Sequence, residues 1–370
     1  AAVEAALRAG VGAYGLIVIL GGGGGSAGEI VRRVLARVTG ARLILNERLL
    51  ATLEAVHARR ERPMPRREER LALLPQGAVL WSVERGEPGW VLETEHSAVV
   101  VLPAASPALA DLLSHHLMPY AHERLGREGV LVRTLKTAGL APSDVEERIG
   151  PWLGAEGEVA VSCVPVDGEV WVRLSARAAS LPLAEAALRE VEAPVLEALG
   201  VDWYGRDQET LEGVVGKLLV ERRLTLSVVE SCTGGLLAHR ITNVSGSSAY
   251  FDRGVVTYSN QAKEDLLGVP RALLVAHGAV SAPVAEAMAR GICRASNTPL
   301  GLAITGIAGP EGGTAAKPVG TVFVTLAHPG GVEARKFLFT GGRESIKWQS
   351  AQMALDLLRR WLLREKPRRD

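Results

Sequence analysis

The chain has 370 residues, enough for two or three domains that each bury a sizeable apolar interior. Its 42 Lys and Arg nearly cancel 41 Asp and Glu, leaving a formal charge of +1, and only 4% of residues are aromatic. That balance excludes a domain-wide basic field for nucleic acid or an anionic membrane, and offers no aromatic platform on which bases would stack.

Residues 1–127 read as an α/β domain. The apolar periodicity predicts a helix over Val3–Arg8, a strand over Leu16–Leu20, a glycine turn, a helix over Glu29–Val38 and a strand over Ala98–Leu102. Such alternation favours a mostly parallel sheet. The apolar run Gly15–Leu20 is too short to span a bilayer and reads as a buried strand rather than a signal peptide. The glycines Gly21–Gly25 would let a phosphate approach a helix start, yet Glu47, the acid at the spacing a dinucleotide site requires, ends no obvious second strand. Arg59–Arg70 is a run of mixed charge, as on a solvated helix face. His115, His116 and His122 with Glu123 lack the i, i+4 pairing of a helical metal site, so no metal is assigned.

Residues 128–204 form a small α+β module. It comprises a helix over Pro142–Ile149, strands over Glu158–Pro165 and Glu169–Ser175, and a helix over Leu183–Leu199. Val166-Asp167-Gly168 between the two strands is a strong hairpin signal.

Residues 205–370 make a complete α/β domain. Its elements are a helix over Glu209–Glu221, a strand over Thr225–Val229, a helix over Gly235–Ile241, a strand over Gly254–Tyr258, a helix over Ala282–Ala295 and a strand over Leu300–Thr305. After a long loop, Gly306–Gly320, come strands over Thr321–Ala327 and Ala334–Phe339 and an amphipathic helix over Glu344–Leu363, beyond which the charged tail Arg364–Asp370 is expected to fray. Cys163, Cys232 and Cys293 lie far apart with no CxxC spacing, which fits neither zinc nor a disulfide framework and points to a reducing cytoplasm.

The chemistry concentrates in this last domain. Glu230-Ser231-Cys232-Thr233-Gly234-Gly235 sits where a strand turns into a helix, so backbone N–H groups and two hydroxyls converge where an anion would bind; an ordinary helix cap is the plainer alternative. Gly246-Ser247-Ser248 follows, then Thr257-Tyr258-Ser259-Asn260 and Lys263. A serine needs a base to attack a carbonyl at neutral pH, and no histidine lies near in sequence. A lysine would serve if burial brought it from about 10.4 to the range near 7 or 8, a change of about 4 kcal/mol. Thr305 and Gly306 end a strand ahead of the long glycine loop, a common place for phosphate or sugar contacts.

Taken together, Glu-Ser-Cys-Thr-Gly-Gly, Gly-Ser-Ser, Arg-Gly-Val-Val-Thr-Tyr-Ser-Asn with Ala-Lys, His-Gly-Ala-Val-Ser, Thr-Gly-Ile-Ala-Gly-Pro and Lys-Pro-Val-Gly-Thr-Val resemble the CinA family. The resemblance implies a three-layer α/β C-terminal domain that deamidates nicotinamide mononucleotide to nicotinate mononucleotide and ammonia in pyridine-nucleotide salvage, with neither metal nor organic cofactor. It further implies Ser248 as nucleophile, Lys263 as its base and Tyr258 as a supporting hydroxyl, with Ser231 also in the site and the choice between the two serines open. Thr233, Gly234, Gly235 and Ser247 would bind substrate on the first loops, Thr305 and Gly306 on the second. Arg343, where the family has Gly-Asp-Arg and this chain has Gly342 in the middle, is placed to meet the phosphate.

Residues 1–127 resemble the family's molybdopterin-binding-like α/β domain, with departures. The family's Ser-Gly-Gly-x-Gly-Pro-Thr-x-Asp-Asp reads Gly21 to Ile30 here, with Glu29 in place of one acid and the other gone, and the Leu-Pro-Gly-Pro-Pro-x-Glu turn reads Leu102 to Ala108. The chain also starts without the family's opening strand and roughly its first sixty residues. The metal-dependent ADP-ribose pyrophosphatase activity of that domain is therefore not expected, and a structural or dimerising role is. The resulting expectation is a cytoplasmic homodimer acting on a small molecule, without nucleic-acid or membrane partners. The competing one is a competence or DNA-damage assembly protein without turnover.

Overall fold

The structure is a computed structural model that describes residues 2–21, 25–59, 61–66, 68–82, 87–104, 107–125, 129–154, 157–166 and 168–364, with backbone only at 25–27, 125 and 129. The fold is α/β with several domains. Contacts divide the chain into two compact units, Ala1–Arg127 and Glu128–Asp370. Among the described residues no helix is long and apolar enough to cross a membrane.

In the first unit a four-stranded sheet runs in the order Leu16–Leu20, Ala98–Leu102, Gly89–Glu93, Val79–Trp81. Only the first pair is parallel; the other two are antiparallel, so the sheet is mixed rather than mostly parallel. The reason is local, because three consecutive strands fold back as a meander, and short connections cannot cross over as parallel pairs require. Glu47 opens a helix, Glu47–Arg59, and does not end a strand. The charged stretch after it is not a helix face: the helix stops at Arg59 and a 3-10 turn follows at Glu68–Ala72. The phosphate reading of the glycine run falls on Gly22–Gly24, which lie outside the described residues. Glu29 forms a long ion pair with Arg33 on its own helix.

The second unit holds two sheets. One has four antiparallel strands in the order Trp203–Arg206, Gly129–Ala138, Glu169–Ala178, Val159–Val166, backed by helices Pro142–Ile149 and Leu181–Leu199. The hairpin pairs Val166 with Glu169, and Gly168 takes the left-handed conformation the turn needs (φ 83°); Asp167 lies outside the described residues.

The other sheet has five strands in the order Phe251–Val256, Leu226–Glu230, Leu300–Gly306, Thr321–His328, Gly331–Leu338, the first three parallel and the last two antiparallel. Period-two alternation sorts its side chains. Leu226 and Val228 face one core with helices Leu211–Glu221, Leu236–Thr242 and Arg343–Arg364, while Val229 and Ala303 face a second core with Asn260–Leu267, Arg271–His277 and Ala282–Ser296. The result is three layers, helices on both faces of one sheet.

Candidate active site

Strand Leu226–Glu230 runs parallel to both neighbours, and its register sets Glu230 beside Val256 on one side and Ile304 on the other. The residues that follow, Ser231, Thr257 and Thr305, therefore meet at the carboxyl end of the sheet, where open α/β folds bind ligands.

Glu230 shapes the first loop. Its buried carboxylate accepts from the backbone amides of Gly235 (3.0 Å), Leu237 (3.1 Å) and Ala238 (2.8 Å), which are the unpaired donors at the start of helix Leu236–Thr242. The anion expected at that helix start is thus the chain's own side chain. Gly234 and Gly235 carry φ of 63° and 99°, so the loop between them and Ser231 requires glycine to fold back onto Glu230. Thr233 is fully buried and its Oγ1 has no hydrogen-bond partner among the described residues. The amides of Cys232 and Thr233 both lie toward the Cys232 thiol. Burial pushes that thiol up to about 12, which keeps it protonated and poorly nucleophilic.

Lys263 reaches the same point from helix Asn260–Leu267, whose start is fixed by the Ser259 hydroxyl accepting from the Ala262 amide. The side chain is 1% exposed. Its Nζ donates to the Thr257 carbonyl at 2.6 Å and lies 3.4 and 3.5 Å from the carbonyls of Tyr258 and Ser259 and 3.3 Å from Ser231 Oγ. Burial pushes the ammonium below its usual range, with the neighbouring Cys232 opposing. Nζ is the donor in all four contacts; after loss of one proton, two N–H groups would remain for the carbonyls and a lone pair for the Ser231 hydroxyl.

The expected pairing of Lys263 with Ser248 is not what the fold builds. Ser248 is exposed in a 3-10 turn, Ser247–Ala249, ahead of strand Phe251–Val256, whereas Thr257 and Lys263 come after it. A six-residue strand at about 3.3 Å per residue separates the two ends by about 20 Å. Within one chain Ser247 and Ser248 thus stand at the amino end of the strand, and the serine that meets the amine is Ser231.

Around the mouth lie cations. Tyr258, largely exposed, accepts a hydrogen bond at its hydroxyl from Arg343 (3.2 Å), whose other terminal nitrogen donates to the Gly309 carbonyl (2.8 Å) in the glycine loop. Lys317 donates to the His277 carbonyl (2.8 Å), next to the Ala279 carbonyl that accepts from Thr305 Oγ1 (3.0 Å). Lys347 lies one helical turn after Arg343, its Nζ 3.8 Å from where a side chain on Gly234 would begin. Arg343, Lys317 and Lys347 form no ion pair among the described residues. Gly306 packs against Val322 with no room for a side chain, a structural role. Sequence reading missed Glu230 and Thr257, which only the strand register reveals, and Lys347, whose signal was its i, i+4 spacing from Arg343. Among the described residues no group of three His, Cys, Asp or Glu is arranged to hold a metal ion; His115 pairs with Asp111 and His116 stacks on Trp81.

Residues 208–362 match the CinA C-terminal domain, and residues 132–205 match the damage-inducible protein CinA KH domain. A putative competence-damage inducible protein of Moorella thermoacetica is 44% identical over 352 residues, spanning 94% of this chain and 84% of that one. A second, from Symbiobacterium thermophilum, is 40% identical over 361 residues, 94% of this chain and 85% of its own. Among solved structures, a CinA superfamily protein from Klebsiella pneumoniae is 35% identical, covers 42% of this chain and 97% of its own, and superposes with a TM-score of 0.41. With identity at this level sustained over nearly the whole length, the chain belongs to the CinA family.

Proposed function

We propose that the C-terminal domain is an amidohydrolase that converts nicotinamide mononucleotide to nicotinate mononucleotide and ammonia, with Ser231 as nucleophile and Lys263 as its base. The observation that carries this reading is the 3.3 Å approach of Lys263 Nζ to Ser231 Oγ between two buried side chains. A lysine kept below its ordinary range by burial is the base a serine needs where no histidine is at hand.

The steps follow from the contacts. Ser231 Oγ attacks the carboxamide carbon while its proton passes to the Lys263 lone pair, and the carbonyl oxygen becomes the tetrahedral oxyanion. Collapse breaks the C–N bond, and the departing nitrogen takes the proton from Lys263 and leaves as ammonia. Water then attacks the acyl ester, giving one proton to Lys263, which returns it to Ser231 as the carboxylate departs. The rim of Arg343, Lys347 and Lys317 supplies positive charge for a phosphate, which favours a mononucleotide as substrate. No cofactor is required. The setting proposed is the reducing cytoplasm, consistent with three free cysteines, and a homodimer without nucleic-acid or membrane partners.

The test is incubation of the full chain with nicotinamide mononucleotide. Equimolar nicotinate mononucleotide and ammonia are expected, and absence of both with the folded protein overturns the reading.

A further inference from the structure

We propose that Glu169 of the hairpin module, acting through Gln352 and Arg240, is a positioning residue for the Ser231 loop, so that docking of the small module sets the activity of the site; the inference rests on the deamidase reading for its kinetic readout alone.

The connection is a relay from half-buried Glu169 to buried Gln352 and Arg240 across three elements. Glu169, first residue of strand Glu169–Ala178, accepts from Trp171 Nε1 (2.6 Å), from the Tyr204 hydroxyl (2.7 Å) and from Gln352 Nε2. Gln352 is fully buried on helix Arg343–Arg364, and its Oε1 accepts from Arg240 (2.6 Å). Arg240 also donates to Glu212 (2.7 Å) and lies over the Trp348 ring at 4.4 Å. It belongs to helix Leu236–Thr242, only seven residues long, whose opening amides are held by Glu230 next to Ser231. Two turns of helix behave as one rigid piece, so a shift at Arg240 reaches the loop that carries the nucleophile.

A purely apolar joint would hold the module as well or better, because desolvating charged and amide groups gains little net stability. What the polar relay adds is register. Each partner accepts or donates in one geometry only, and fixing Gln352 fixes Arg240. A cavity of about 180 Å³ lined by Glu169, Tyr204, Glu212, Arg240 and Trp348 borders the relay, which leaves these side chains room to move once the link is broken.

The experiment compares Glu169→Gln, Gln352→Leu and the double exchange Glu169→Gln with Gln352→Glu in the full chain. Turnover of nicotinamide mononucleotide is measured beside the rate at which a small alkylating reagent labels Cys232, followed by peptide mapping. Both single variants are expected to lower kcat about tenfold with KM within about twofold, and to raise Cys232 labelling about tenfold. The double exchange reverses the donor and acceptor of the link, leaves Arg240 a carboxylate to bind, and is expected to return both readouts toward wild type. Wild-type kcat and wild-type labelling in the folded single variants overturn the proposal. If a single variant does not fold, failure of the double exchange to restore kcat and labelling overturns it. If the wild type deaminates nothing, the functional reading fails while the labelling rates still decide whether the module holds the loop.

Discussion

The Lys263 amine and the Ser231 hydroxyl meet 3.3 Å apart although 32 positions separate them, because each follows one of two neighbouring parallel strands whose ends lie at the same level. Ser231→Ala removes the proposed nucleophile and is expected to lower kcat by at least about a thousandfold. Lys263→Met removes the proposed base and is expected to cost about a hundred to ten thousandfold. Ser248→Ala, at the other end of the strand, is expected to stay within about tenfold of wild type. Stopped-assay ammonia release ranks the three. A Ser248 variant as inactive as the Ser231 variant would return the nucleophile to the position the resemblance implied.

The amine makes the site pH-dependent in a definite direction. Burial holds Lys263 below its usual range in the folded chain, and only the neutral form accepts the serine proton, so kcat should climb with pH through that lowered value and then level off. Stability follows the same group. Below the folded-state value both folded and unfolded chains hold the proton, and its burial is a constant cost. Between that value and about 10.4 the unfolded chain holds one proton more, so stability rises with pH across that window. Urea unfolding over a pH series should show this rise in wild type and lose it in Lys263→Met; an unchanged slope in the variant contradicts the assignment.

The sequence made some of this legible and hid the rest for physical reasons. Strong periodicity revealed the helices Leu181–Leu199 and Ala282–Ser296 and the central strand Leu300–Gly306 to within a few residues. Short elements carry too few residues for a period, and Val79–Trp81 and Trp203–Arg206 went unread, but so did the longer helix Glu47–Arg59 and strand Gly129–Ala138. At the site, hydroxyls and a lysine were visible as composition, but which serine meets Lys263 depends on the direction of strand Phe251–Val256. The resemblance implied Ser248; the parallel register favours Ser231. The Glu169–Gln352–Arg240 relay had no local signal at all, because its members come from three elements separated by more than a hundred residues at the widest gap.

Two glycines, one closing the long loop and one beside Ser231, separate folding from chemistry. Gly320 closes the long loop at φ 92°, where an added Cβ would lie 1.9 Å from the Phe339 carbonyl oxygen. Gly320→Ala is therefore expected to lose about 3 kcal/mol or more of stability, from the left-handed backbone and the clash together. At Gly234, φ is 63° and the nearest atom to an added Cβ is the mobile Lys347 Nζ at 3.8 Å. Gly234→Ala should cost about 1 kcal/mol, yet it strains the loop that carries Ser231, so its larger effect is expected on kcat, about tenfold. Denaturation midpoints beside turnover numbers distinguish the two; equal losses in both measurements would mean that the Gly234 turn is structural only.

Charge beside the Ser231 loop is expected to set which form of the proposed substrate is taken. Arg343, Lys347 and Lys317 lie along the rim with no ion pair among the described residues, and each spends its hydrogen bonds on carbonyls, a tyrosine hydroxyl or nothing protein-borne. A phosphate reaching them would gain charge-assisted contacts, and each lost contact is worth about 1.5–3 kcal/mol, roughly ten to a hundredfold. Arg343→Ala and Lys347→Ala are accordingly expected to raise KM for nicotinamide mononucleotide by that factor and to leave kcat within about threefold. The uncharged riboside should be a poor substrate of the wild type and should lose little further in either variant. Raising ionic strength from 50 to 200 mM, about a halving of the screening length, should weaken mononucleotide binding and spare the riboside. Parallel loss of both substrates would place these cations in the support of the loop rather than in recognition of a phosphate.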